Sequence, residues 1–270
     1  MQNTSAVFDT PDNQPPLSKA AARALRRAEK AKKAHGGTGS PLIARTDRQR
    51  EYLNALWTGE SAFAVGGAGV GKTYLAARVA ARKLSQKQID KIIVARVTVS
   101  NTKNALGFLP GKLEQKLAPW LIPVFDGLKA EVGTHQVEQW QKEGRLEIAS
   151  FEHMRGRTFA NAFVLLDEAQ NATVSDLKLF LTRIGEESQV VITGDLDQID
   201  IQDSGLLKVI RLAKAYGAPM RIIEFSDQDV VRSQFTKEWV RIFSQSAEDG
   251  NNPSGNLDVL PPFIHNTRKS

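Results

Sequence analysis

The chain alternates short apolar runs with longer segments whose apolar residues recur at helical spacing. The runs predict strands near 61–65, 91–97, 146–149, 162–166, 189–193 and 220–225. The periodic segments predict helices near 47–58, 72–85, 112–131, 173–184, 204–215 and 234–245. Strands that read as apolar blocks, separated by helices, predict an α/β chain with a mainly parallel sheet covered on both faces. Residues 1–18 are polar with several prolines, 35–40 form a Gly/Thr/Ser linker, and 246–270 are rich in Asn, Pro and Gly. The expected organisation is therefore a largely disordered arm over 1–40, one folded domain over 41–245 and a disordered tail over 246–270.

A length of 270 residues gives ample apolar material for a core. The absence of cysteine excludes disulfides and thiolate metal sites, and His35, His135, His153 and His265 are scattered without ligand spacing. No apolar run approaches the roughly 20 residues of a membrane span, and the polar start reads as no signal peptide, so the expectation is a cytoplasmic protein without membrane contact. Residues 1–40 contribute +4 of the net charge of +6. Lys19, Arg23, Arg26, Arg27, Lys30, Lys32 and Lys33 with interleaved alanines read either as a basic helix that touches phosphate backbones or as a solvated arm.

The chemistry begins where the first apolar run stops. Gly66-Gly67-Ala68-Gly69-Val70-Gly71-Lys72-Thr73 fits G-x-x-x-x-G-K-[ST]. Glycines let backbone N–H groups curl around phosphates, the lysine reaches the β/γ-phosphates, and the hydroxyl holds Mg²⁺. Good helix formers follow from Tyr74 to Ala81, so the loop opens onto a helix N-terminus that favours an anion. The expected ligands are ATP and Mg²⁺.

Phe163-Val164-Leu165-Leu166 ends in Asp167-Glu168, two carboxylates at the end of a buried strand, where open α/β sheets bind ligands. Asp167 suits Mg²⁺ beside Thr73, and Glu168 suits a base for an attacking water. The strand over 189–193 runs into Gly194-Asp195-Leu196-Asp197-Gln198, where Asp195 and Gln198 are candidates to report on the γ-phosphate. Asp197, Asp200 and Asp203 fit no calcium loop and read as an acidic surface loop.

Read together, GGAGVGKTYLA, ALGFLPGKLEQKLAPWLIPVFDGL (105–128), EHMRGRTFANAFVLLDEAQNAT (152–173), FLTRIG (180–185) and VVITGDLDQIDI (190–201) resemble the PhoH-like ATPases over residues 44–245. The resemblance implies a three-layer αβα RecA-like P-loop NTPase, similar to the first domain of superfamily 1 helicases. It places the GDxxQ strand between the P-loop strand and the Asp-Glu strand. It likens Gln49 to the helicase glutamine that reads adenine, with a surface helix glutamine as the other reading. Ala95-Arg96-Val97-Thr98 departs from the family's Arg-Pro-Ala type run.

Efficient NTP hydrolysis uses an arginine on the transferring phosphate. Arg155, Arg157, Arg183 and Arg232 lie in family-like segments and are candidates to act on a neighbouring subunit's site, with structural ion pairs as the alternative. The expectation is a homo-oligomer, a hexameric ring, with ATP sites at the interfaces. RNA or single-stranded DNA is the substrate the resemblance implies; Phe108 and Trp120 suit core packing better than base stacking. Two functional readings follow: an ATPase working on nucleic acid, and a nucleotide-gated binding protein with slow or no turnover.

Overall fold

A computed structural model describes residues 41–97, 118–231, 233–236, 238–239 and 242. Its strands are β1 (Ser61–Val65), β2 (Lys91–Arg96), β3 (Leu146–Ala149), β4 (Ala162–Asp167), β5 (Gln189–Gly194) and β6 (Met220–Glu224). They form one sheet in the order β3-β2-β4-β5-β1-β6, and every pairing is parallel. Its α-helices are α1 (Asp47–Thr58), α2 (Lys72–Ser85), α3 (Ile122–Val132), α4 (Thr134–Lys142), α5 (Val174–Leu181) and α6 (Leu206–Tyr216).

Successive strand residues point to opposite faces, so each strand feeds two cores. Ala62, Ala64, Ile92, Val94, Phe163, Leu165 and Val191 pack with Tyr52, Leu56, Val79, Leu128 and Trp140 from α1 to α4. Phe63, Val65, Ile93, Val164, Leu166 and Ile192 pack with Leu177, Phe180, Leu206 and Ile210 from α5 and α6. The three-layer αβα architecture follows, and the β5 strand lies between β1 and β4 as the resemblance implied. Among the described residues no helix is long and apolar enough to cross a membrane.

The helix ends obey local chemistry. Thr46 caps α1 by accepting from Gln49 N at 3.1 Å, and Thr173 with Asp176 forms a capping box on α5. The helix expected over 112–131 begins instead at Ile122, after a 3₁₀ turn over Ala118–Leu121; residues 112–117 lie outside the described residues. Pro123, which lacks an N–H, fits the first turn of α3 and so sets that start. The helix α4 is not among the expected elements; it buries only Val137 and Trp140 of its nine residues. Helical residues at 234–236, 238–239 and 242 fall inside the last predicted helix.

The entry to α6 has no spare room. A Cβ on Gly205 would lie 2.3 Å from Val174 N and 2.6 Å from the Thr173 carbonyl carbon, both backbone atoms. Gly205→Ala is therefore expected to destabilise the fold by about 1–3 kcal/mol, seen as a fall in Tm of about 2–4 °C per kcal/mol in a thermal melt. An unchanged Tm would show that the α5–α6 junction yields freely.

Candidate functional site

The site is built on the carboxyl ends of β1, β5 and β4, which lie side by side. The loop leaving β1 turns through positive φ at Gly66, Gly69 and Gly71 before α2 begins. Gly66 has to be glycine for a second reason, since a Cβ there would lie 2.6 Å from Phe225 O. The loop is braced from outside. Gln49, buried in α1, donates from Nε2 to Val70 O at 2.9 Å and accepts Arg45 N at 2.8 Å. Val231 N donates to Gly69 O at 3.2 Å, Gly66 N to Gly194 O at 3.2 Å, and the Tyr52 hydroxyl to Lys72 O at 3.2 Å. Burial holds the Tyr52 phenol far above its usual range, reinforced by the charge of Asp167, so it remains a neutral donor.

Lys72 Nζ folds back on the loop and donates to Gly66 O at 2.5 Å and Gly67 O at 2.7 Å. Burial lowers its pKa, and the nearby charges of Asp195, Asp167 and Glu168 oppose that shift. Ala68 is exposed at the loop's crest, and Val70 is fully buried.

Asp167 is the hub. Its Oδ1 accepts the Thr73 hydroxyl at 2.6 Å and the Thr193 hydroxyl at 2.6 Å, and its Oδ2 accepts Arg96 Nη1 at 3.0 Å. Glu168 follows in the left-handed region (φ 56°), a conformation that costs a non-glycine residue of order 1 kcal/mol and persists where surroundings enforce it. Its Oε2 accepts Gln170 Nε2 at 2.6 Å, and its Oε1 lies 3.4 Å from Arg96 Nη2. Gln170, only 1% exposed, uses its other end to accept Asp195 N at 3.0 Å. A hydrogen-bonded chain thus links the end of β4 to the end of β5.

Asp195 is buried, and that desolvation raises its pKa, with the Asp197 backbone N–H and Lys72 pulling it down. Gln198 is exposed and its N–H points to Asp195 O at 3.4 Å. Asp200 pairs with Asn171 through Nδ2 and its own N–H, both at 3.0 Å. Asp197, Asp200 and Asp203 are all exposed; among the described residues no three His, Cys, Asp or Glu side chains gather as a metal site.

The candidate arginines lie elsewhere. Arg157 forms a forked pair with Glu147 on β3, at the sheet edge, and its guanidinium sits 5.0 Å from the Phe159 ring centroid. The Arg183 carbonyl accepts Phe159 N at 2.8 Å, and Phe159 bridges Ile184, ahead of β4 and β5. The segments around Arg157 and Arg183 therefore meet. Arg183 belongs to the amino ends of the strands, about 20 Å along a six-residue strand from the P-loop end. Arg155 is exposed, and Arg232 lies outside the described residues, as does Phe108. Trp120 packs partly buried against the α1–α4 core.

Sequence reasoning missed Arg96, Gln170 and Thr193. Gln170 and Thr193 stood inside segments already singled out, while the register of Arg96 against Asp167 is a matter of strand neighbours.

The residues fit the two expected ligands. The glycine-lined loop and the first turn of α2 present N–H groups for phosphates, Lys72 adds a cation, and Thr73 with Asp167 offers hard oxygens of the kind Mg²⁺ prefers. A parallel sheet in this strand order, with that loop after β1 and an Asp-Glu pair after β4, defines a P-loop NTPase of RecA-like architecture. The sequence model of the family described as PhoH-like protein matches residues 41–244, and the chain belongs to that family. It is 40% identical over 210 residues to Protein PhoH of Escherichia coli strain K12, covering 76% of this chain and 59% of that one. It is 39% identical over 210 residues to the PhoH-like protein of Bacillus subtilis, covering 77% and 65%. The chain thus spans about three fifths of the length of these relatives. Among solved structures, the large terminase from a thermophilic bacteriophage superposes with a TM-score of 0.48 at 12% identity, covering 75% of this chain and 50% of that one.

Proposed function

We propose that this chain is a cytoplasmic Mg²⁺-dependent ATPase that works as an oligomer on RNA or single-stranded DNA. The observation that carries the reading is Thr73 and Asp167 joined at 2.6 Å beside the P-loop, with Glu168 next in sequence on the open side. The P-loop N–H groups and Lys72 bind and orient the phosphates, and Thr73 and Asp167 would hold Mg²⁺, which when bound would supply positive charge against that developing on the transferring phosphate. Glu168 takes a proton from the attacking water at its carboxylate. Asp195 and Gln198 sense the γ-phosphate from the β5 end. Gln49 keeps one donor and one acceptor beyond its bonds to Val70 and Arg45, which suits the adenine edge.

The arginine that completes hydrolysis comes from a neighbouring subunit in a hexameric ring, since Arg183 stands at the far end of the sheet from its own P-loop and Arg157 at the edge. Arg155 and Arg232 share that candidacy. Support for nucleic acid is electrostatic, from Lys19 to Lys33. A second reading, a nucleotide-gated binding protein, draws on Glu168 itself. Arg96 and Gln170 each face one of its oxygens, so part of its accepting capacity is already used within the protein.

Steady-state phosphate release measured across protein concentrations, with and without single-stranded RNA, separates the readings. Specific activity that rises with concentration and RNA is expected; flat, RNA-indifferent, negligible turnover with tight ATP retention would favour the gated binder. Deleting residues 1–40 is expected to leave basal turnover intact while weakening RNA binding and flattening its salt slope by about 0.7 for each phosphate the arm no longer neutralises. Identical salt titrations would reduce the arm to a linker.

A further inference from the structure

Arg96 ends β2 in register with Asp167, and its guanidinium meets three acceptors: Asp167 Oδ2 at 3.0 Å, Glu168 Oε1 at 3.4 Å and the Trp120 carbonyl. The Trp120 carbonyl belongs to the 3₁₀ turn that leads into α3, so the fork is anchored from outside the acid pair. The guanidinium brings a positive charge and donors only, with no acceptor of its own. At the site Asp167, Glu168 and Asp195 stand against Lys72 and Arg96. That balance decides how the two incoming ligands are received. Removing one fixed positive charge next to the acids favours a cation and disfavours a polyanion.

We propose that Arg96 is a positioning residue that serves as the resident counter-ion of the Asp167–Glu168 pair, opposing Mg²⁺ that arrives alone and favouring nucleotide that arrives without metal. The two ligands are thereby coupled: metal is taken up together with the nucleotide, whose phosphates add the negative charge that outweighs the guanidinium. Coupling of this kind is reciprocal and is read from binding alone. The proposal rests on the nucleotide-site reading above.

The test measures two affinities on the full chain: Mn²⁺ alone by electron paramagnetic resonance, and a fluorescent ADP analogue in excess EDTA. Arg96→Gln removes the charge while keeping a donor for the Trp120 carbonyl. It is expected to bind Mn²⁺ about tenfold tighter and metal-free ADP analogue about tenfold weaker, each about 1.4 kcal/mol. Arg96→Met, similar in length, is expected to do the same and stands in if Arg96→Gln fails to fold. Arg96→Lys, which keeps the charge without the fork, is expected to stay within about twofold of the unmodified chain for Mn²⁺. Shifts of both ligands in the same direction, or no shift in either, overturn the proposal. If the unmodified chain binds no nucleotide with or without metal, the nucleotide-site reading fails; the Mn²⁺ series still decides whether Arg96 is the counter-ion, an unchanged affinity overturning it.

Discussion

Glu168→Gln is expected to keep ATP bound and to lower kcat by about 10²- to 10⁴-fold, the range a positioned general base contributes. The substitution removes the proton acceptor while preserving shape, so the nucleotide Kd should stay within about twofold of the unmodified value. A modest structural cost accompanies it. Glu168 accepts from Gln170 Nε2 and faces Arg96 Nη2, and Gln170 is held in that orientation because its Oε1 accepts Asp195 N. A glutamine has only one acceptor oxygen, so its amide NH₂ must face one of those donors, at a cost of about 1 kcal/mol. A lower Tm of a few degrees with full nucleotide binding and stalled turnover is the expected signature. Turnover at the unmodified rate would remove Glu168 from the chemistry and turn its backbone strain into a purely structural feature.

Lys72→Ala is expected to weaken nucleotide binding and remove hydrolysis together. Each charge-assisted hydrogen bond is worth about 1.5–3 kcal/mol, so affinity should fall by about 10- to 100-fold. The fold itself should tolerate the change. Lys72 opens α2, alanine is the better helix former, and the ammonium's present partners, Gly66 O and Gly67 O, lie on a loop that solvent reaches. Equilibrium titration with a fluorescent ATP analogue, beside a thermal melt, distinguishes loss of a ligand interaction from loss of structure. Unweakened binding would mean that the loop amides alone carry the affinity.

How much of this was readable in the chain depends on the kind of interaction. The six strands were legible to within a residue because buried parallel strands are apolar blocks, and Leu165-Leu166-Asp167 shows where such a block stops. The phosphate loop was legible because it is local: eight consecutive residues contain the whole motif. The helix α4 was not, since it is held by Val137 and Trp140 alone against a surface the sequence does not display. The same limit applies at the site. Arg96 meets Asp167 because β2 pairs with β4, and Thr193 meets it because β5 does, and neither adjacency is written along the chain. Gln170 stood in plain view within DEAQN, but its double bond to Glu168 and Asp195 needs the β4 and β5 ends side by side. Gln49 shows the reverse case: the sequence singled it out for adenine, and the fold adds a bond to Val70 O that makes it a brace of the loop.

The measurement that bears most directly on the central claim is phosphate release from ATP by the purified 270-residue chain at saturating Mg²⁺, run beside Glu168→Gln and Lys72→Ala under identical conditions. Turnover in the unmodified chain that vanishes in both variants, with ATP retained by the first and released by the second, is the result predicted here. Turnover near the unmodified rate in either variant, or ATP bound by neither the variants nor the unmodified chain, would contradict an ATPase built on this loop and this acid pair.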